Sequence, residues 1–87
     1  MLNVINNYKR INYMDGYDLY PDKFVLLSDT EELEGNIESG VILAVGENDD
    51  SDAIWDLYFD YLNSKKYNDL LVAYYGDIDT TGFYLWL

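Results

Sequence analysis

Residues 51–63 place Ile54, Leu57, Tyr58, Tyr61 and Leu62 at helical spacing, and such an apolar stripe is stable only when another surface covers it. The other apolar runs, Lys23–Leu27 (KFVLL), Val41–Val45 and Leu70–Tyr75, are short and strand-like, so the covering surface is expected to be a sheet. Ser51 is placed to act as N-cap, Asp52 favours the positive end of the helix dipole, and Ser64-Lys65-Lys66 brings cations to the negative end. Trp55 and Phe59 widen the apolar face on one side. Asp52, Asp56 and Asp60 recur every fourth residue on the other.

The rest of the chain is read around that helix. Asp15-Gly16 is a two-residue hairpin signal flanked by Tyr8, Ile11, Tyr13, Tyr17, Leu19 and Tyr20, which predicts strand, turn and strand over residues 8–20. Lys9 and Arg10 on the first of these strands are placed to pair with acids across the sheet. Ser28-Asp29-Thr30-Glu31 resembles a capping box, and Leu33 and Ile37 share a face at i, i+4. A short helix over about 29–39 follows, weakened by Gly35 and ended by Gly40. Gly76–Gly82 reads as a turn leading to the strand Phe83–Leu87, a second hairpin. The expected fold is α+β: one domain over residues 1–87 with about five mostly antiparallel strands, a main helix (about 51–63) and a short one (about 29–39).

Composition narrows the chemistry. Neither histidine nor cysteine occurs, which removes most nucleophile–base pairs, transition-metal sites, disulfides and proton transfer near neutrality. No glycine-rich phosphate loop is present, and Arg10 is the single arginine. A non-enzymatic protein with no cofactor and no catalytic residues is expected. Asp77, Asp79, Thr81 and Gly82 match the opening of an EF-hand loop, but the twelfth-position glutamate is missing, so a polar turn is the simpler reading and a calcium-responsive binding module the alternative. Asn48-Asp49-Asp50-Ser51-Asp52 is oxygen-rich in the same way and reads as a loop and helix cap, so no metal site is assigned. Residues 1–11 carry asparagines, Lys9 and Arg10 inside any apolar stretch and read neither as a secretion signal nor as a membrane span; cytoplasmic residence is expected.

Charge is the strongest functional signal in the chain. Seventeen acidic residues against five basic ones give a formal net charge of −12, and self-repulsion at that density opposes folding. The balance points to a positively charged partner, and proteins that bind nucleic acid are the largest class with such surfaces. Along a helix, Asp52, Asp56 and Asp60 are about 6 Å apart in rise and present charge as a strand of phosphates does. Asp49 and Asp50 extend the row past the helix start. Glu31, Glu34 and Glu38 make a second row on the short helix, with Glu32 beside it, and neither row contains a lysine or arginine. Ten tyrosines are too many for one thin core, so some reach the surface; Tyr58 and Tyr61, beside aspartates, are the expected aromatic anchors.

In size, charge and lack of catalytic residues the chain resembles the small acidic inhibitors that phages encode against host defence or host nucleic-acid machinery: nucleic-acid mimics, anti-restriction proteins and anti-CRISPR proteins. That resemblance implies occupation of the basic DNA- or RNA-binding site of a nuclease, CRISPR effector, restriction enzyme or nucleoid protein, without direct binding of nucleic acid or membrane. Gly46-Glu47-Asn48 followed by Asp52-Ala53-Ile54-Trp55-Asp56 is similar to the helix start of barstar-type ribonuclease inhibitors, although extra residues separate Asn48 from Asp52. This second resemblance implies that Asp52 and Asp56 face a nuclease's basic site, and an immunity protein against a nuclease toxin is the alternative inhibitor reading. Exposed strand edges at either hairpin leave a homodimer open.

Overall fold

The computed structural model describes residues 2–76. Within them the chain runs β1 (Asn3–Val4), β2 (Arg10–Asn12), a 3-10 turn (Tyr13–Asp15), α1 (Gly16–Leu19), β3 (Phe24–Leu33), β4 (Asn36–Gly46), α2 (Ser51–Ser64) and β5 (Leu71–Tyr74). The strands form one antiparallel five-stranded sheet, so the small domain is α+β. β3 and β4 are its centre. β5 pairs with β3 over Phe24–Leu27, while β1 and β2 share the other edge of β4, at Ala44 and Val45 and at Ser39–Val41 respectively.

Alternation along the central strands divides the core between two faces. Val25, Leu27, Ile42, Val45, Ala73 and Tyr75 pack with Ile11 under the N-terminal segment, where Ile5, Tyr13 and Tyr20 cover them. Leu26, Leu43 and Ala44 pack on the opposite face against Ile54 of α2, with Leu57, Tyr58, Tyr61 and Val72 around them. Two consecutive residues, Leu43 and Ala44, face the helix because the register shifts between Leu26 and Leu27: Leu26 opposes Ala44 and Leu27 opposes Ile42. The bulge turns the extra side chain onto the helix side and adds apolar area beneath α2.

α2 forms where the sequence predicts it and extends to Ser64. Lys65 ends it in the left-handed conformation, and Ser64 Oγ donates to the Tyr61 carbonyl at 2.8 Å, satisfying one of the last acceptors. The N-cap position belongs to Asp50 and not to Ser51, which is the first helical residue. The helix starts at the Gly46 end of β4 and runs back over the sheet. Its exit loop is tied to β3, where the Asp29 N–H donates to the Asn68 carbonyl at 2.7 Å and Thr30 Oγ1 to the Asp69 carbonyl at 3.2 Å.

Two further sequence expectations are corrected. The predicted short helix over 29–39 does not form; β3 and β4 continue through it and turn at Glu34-Gly35, with φ of +54° and +84° and Leu33 opposite Asn36. Positive φ at both central residues is type I′ geometry, which matches the twist of the flanking strands. The capping-box signal at Ser28–Glu31 loses because Asp29, at φ +49°, lies in a second register shift where its N–H already has the Asn68 carbonyl. The predicted hairpin at Asp15-Gly16 is replaced by the 3-10 turn and α1, in which Gly16 is right-handed at φ −58°. Close approach, and not turn geometry, requires glycine there: a Cβ at Gly16 would overlap the Tyr75 ring. The predicted C-terminal hairpin beyond Gly76 lies outside the described residues.

Candidate protein-docking face

α2 is amphipathic in three strips. Ile54 is fully buried on the sheet, and Leu57, Tyr58 and Tyr61 are half-buried beside it. Turning away from the sheet past Tyr58, the next strip carries Leu62, Trp55 and Phe59, all exposed. The third carries Asp52, Asp56 and Asp60, also exposed. The two ion pairs among the described residues are Lys23 with Glu47 at 2.6 Å and Arg10 with Glu31 at 3.6 Å, so neither neutralises this row. Three carboxylates one turn apart on a helix seated on the core form a fixed, single-sign array.

The loop before α2 adds charge in two ways. Asp49 is exposed and continues the row. Asp50 turns its carboxylate back to accept the Glu47 N–H at 2.8 Å, and this hydrogen bond holds its pKa below the ordinary value near 3.8. Asp50 therefore stays ionised while it shapes the loop. Glu47, bonded to Lys23 Nζ, ties the same loop to the start of β3.

The second acidic row takes a different form. Glu31 and Glu38 lie on β3 and β4, and Glu34 occupies the turn; all three are exposed. Glu31 is paired, because Arg10 reaches across from β2. Its Nη1 donates to Ser39 Oγ and its Nη2 to the Asp29 carbonyl, both at 2.9 Å, so the single arginine clamps the irregular stretch of the hairpin. Glu38 and Asp15 line an open groove of about 700 Å³ between the hairpin end and the 3-10 turn, with Tyr13, Met14 and Ile37 as its apolar lining.

The expected aromatic anchors are also redistributed. Tyr58 and Tyr61 face the core side of α2, Tyr61 stacking on Tyr67 with ring centroids 4.9 Å apart. The outward rings are Trp55 and Phe59, joined by Tyr58 in a cluster with centroid separations of 5.2 to 6.3 Å. Helical position alone identifies them: Trp55, Phe59 and Leu62 fall between the buried arc and the aspartate arc. On the opposite face of the sheet, Tyr13 and Tyr17 pack on Tyr75 at 5.4 and 4.9 Å. Burial first, and the neighbouring phenols second, push the Tyr75 hydroxyl far above its ordinary pKa.

Among the described residues no group of three or more acidic side chains converges to hold a metal ion, and no helix is long and apolar enough to cross a membrane. Asp77 and Asp79, the basis of the calcium alternative, lie outside the described residues. No protein-family model matches the chain, and neither a curated protein nor a solved structure matches it.

Proposed function

We propose that the protein is a non-enzymatic inhibitor that binds the positively charged nucleic-acid site of another protein and excludes DNA or RNA from it. The observation that carries this reading is the row Asp52, Asp56 and Asp60, exposed on one face of α2 with neither described ion pair engaging it. Carboxylates in such a row receive arginine and lysine without rearrangement, and their spacing suits a site that otherwise follows a phosphate backbone. Asp49 continues the array. Asp50 contributes charge while holding the loop, and Glu31, Glu34 and Glu38 form a secondary acidic region at the hairpin end. On this reading the protein acts in the cytoplasm of a bacterial cell as a phage counter-defence or host-takeover factor.

The test is affinity capture from bacterial lysate at low and high salt, followed by identification of what salt releases. A nucleic-acid-binding protein eluted by salt, and lost when Asp52, Asp56 and Asp60 are all changed to asparagine, is the expected result. Capture insensitive both to salt and to the triple change overturns the reading.

A further inference from the structure

The proposed array accounts for the aspartates of α2 but leaves the strip beside them without a role. Trp55, Phe59 and Leu62 are 43%, 53% and 47% exposed, on the one long helix among the described residues, in a chain whose core is thin enough to use such residues. Sequence spacing of i, i+4 and i+7 sets the three along about 10 Å of helix axis, the length over which one helix grips another. Apolar side chains scattered singly over a surface need no explanation; three in line, with rings in contact, form a patch.

We infer that this strip is the apolar centre of a docking face for a basic amphipathic helix of the partner protein, with the aspartate row as its charged border. The inference rests on the proposed basic partner and specifies which element of it is recognised. Charge complementarity selects this occupant. A second copy of the chain packing on the strip would bring one aspartate row toward another in a molecule of net charge −12. An anionic lipid surface or a phosphate backbone would meet the same repulsion. A helix with leucines toward Trp55, Phe59 and Leu62 and lysines or arginines over Asp52, Asp56 and Asp60 satisfies both strips at once, and a cation near the indole gains further attraction from the ring face. The partner would therefore be held by apolar contact as well as by charge, and binding would persist in part at salt that dissolves a purely ionic complex.

The full chain carrying Trp86→Phe leaves Trp55 as the sole tryptophan and reports on the strip directly. It is titrated with a synthetic helical peptide of leucine and lysine, leucines at i, i+3, i+4 and i+7, and with a peptide of equal length and charge in which serine replaces each leucine. The leucine peptide is expected to bind at least about tenfold tighter and to shift Trp55 emission to the blue, and Phe59→Ser with Leu62→Ser to abolish that preference. Equal, salt-sensitive binding of both peptides with no change at Trp55 overturns the docking face and leaves the acidic array standing. Failure of both peptides to bind removes the two readings together. Emission that is already blue and shielded from acrylamide in the free protein also overturns the inference, with residues 77–87 as the covering segment if sedimentation gives a monomer and a second copy if it gives a dimer.

Discussion

On α2 three aspartates stand one turn apart on a rod seated on the core, whereas Glu31, Glu32, Glu34 and Glu38 ride on the outer half of a hairpin that runs past the point where β5 pairs. Beneath the aspartates lies Ile54, fully buried, and neither described ion pair reaches them. The hairpin end is exposed throughout except for half-buried Ile37, and the one arginine is committed there to Glu31, Ser39 and the Asp29 carbonyl. Similar charge is thus held by different means. A helix holds its carboxylates through packing of its opposite face, while the ribbon depends on turn geometry and a local cation. The first arrangement presents charge outward; the second spends part of it on its own shape.

The difference between the two regions depends most on the seat of α2. Ile54→Ala leaves a cavity against Leu26, Leu43 and Ala44 and is expected to cost about 2–5 kcal/mol in chemical denaturation, loosening the aspartate row while the hairpin turn is untouched. Changing Asp52, Asp56 and Asp60 to asparagine keeps the helix and removes the charge. Partner affinity should fall about 100-fold or more by calorimetry, against less than about tenfold for Glu31, Glu34 and Glu38 changed to glutamine. Comparable losses from the two triples would erase the distinction between the regions.

Smaller effects separate the hairpin from the helix. Gly35→Ala places a side chain at φ +84° and should cost about 1 kcal/mol of stability with partner affinity unchanged. Arg10→Met, at a half-exposed ion pair, should cost still less in the same denaturation experiment while raising hydrogen exchange across residues 28–39. The smallest effects are in pH. The lowered carboxyl of Asp50 contributes stability that is present above its ordinary value near 3.8 and lost as pH falls below it, so Asp50→Asn should flatten the acid limb of the unfolding curve. The raised phenol of Tyr75 works at the other end: its stability is present below the ordinary value of 10.0 and lost as pH rises above it, and Tyr75→Phe should flatten the alkaline limb.

Two glycine pairs explain much of what sequence reading misses. Asp15-Gly16 carries the favoured composition of a tight turn, yet Gly16 is in a helical conformation because the Tyr75 ring, far along the chain, leaves no room for a Cβ. Glu34-Gly35 lacks the usual asparagine or aspartate and is the hairpin turn, because long pairing of β3 with β4 forces two consecutive positive φ values there. Neither outcome is local. The glutamates that look like one face of a short helix, at i, i+3 and i+7, are consequently split between two strands and a turn. The candidate site fares better on α2, where Asp52, Asp56 and Asp60 are all exposed as the spacing predicts. Of the aromatic rings, Tyr58 and Tyr61 are half-buried while Trp55 and Phe59 are exposed, since proximity in sequence to an aspartate says little about which way a ring turns.

α2, its acidic row and the α+β class are legible in the sequence alone, because a helical period repeated over thirteen residues and short apolar runs between polar breaks are signals the backbone reads locally. Three-dimensional packing, in contrast, dictates that residues 29–39 pair as strands, that Gly16 lies against Tyr75 and that Arg10 serves the hairpin. Each of these depends on contacts between residues distant in the chain, where packing and strand pairing outweigh propensities worth about 1 kcal/mol or less per residue.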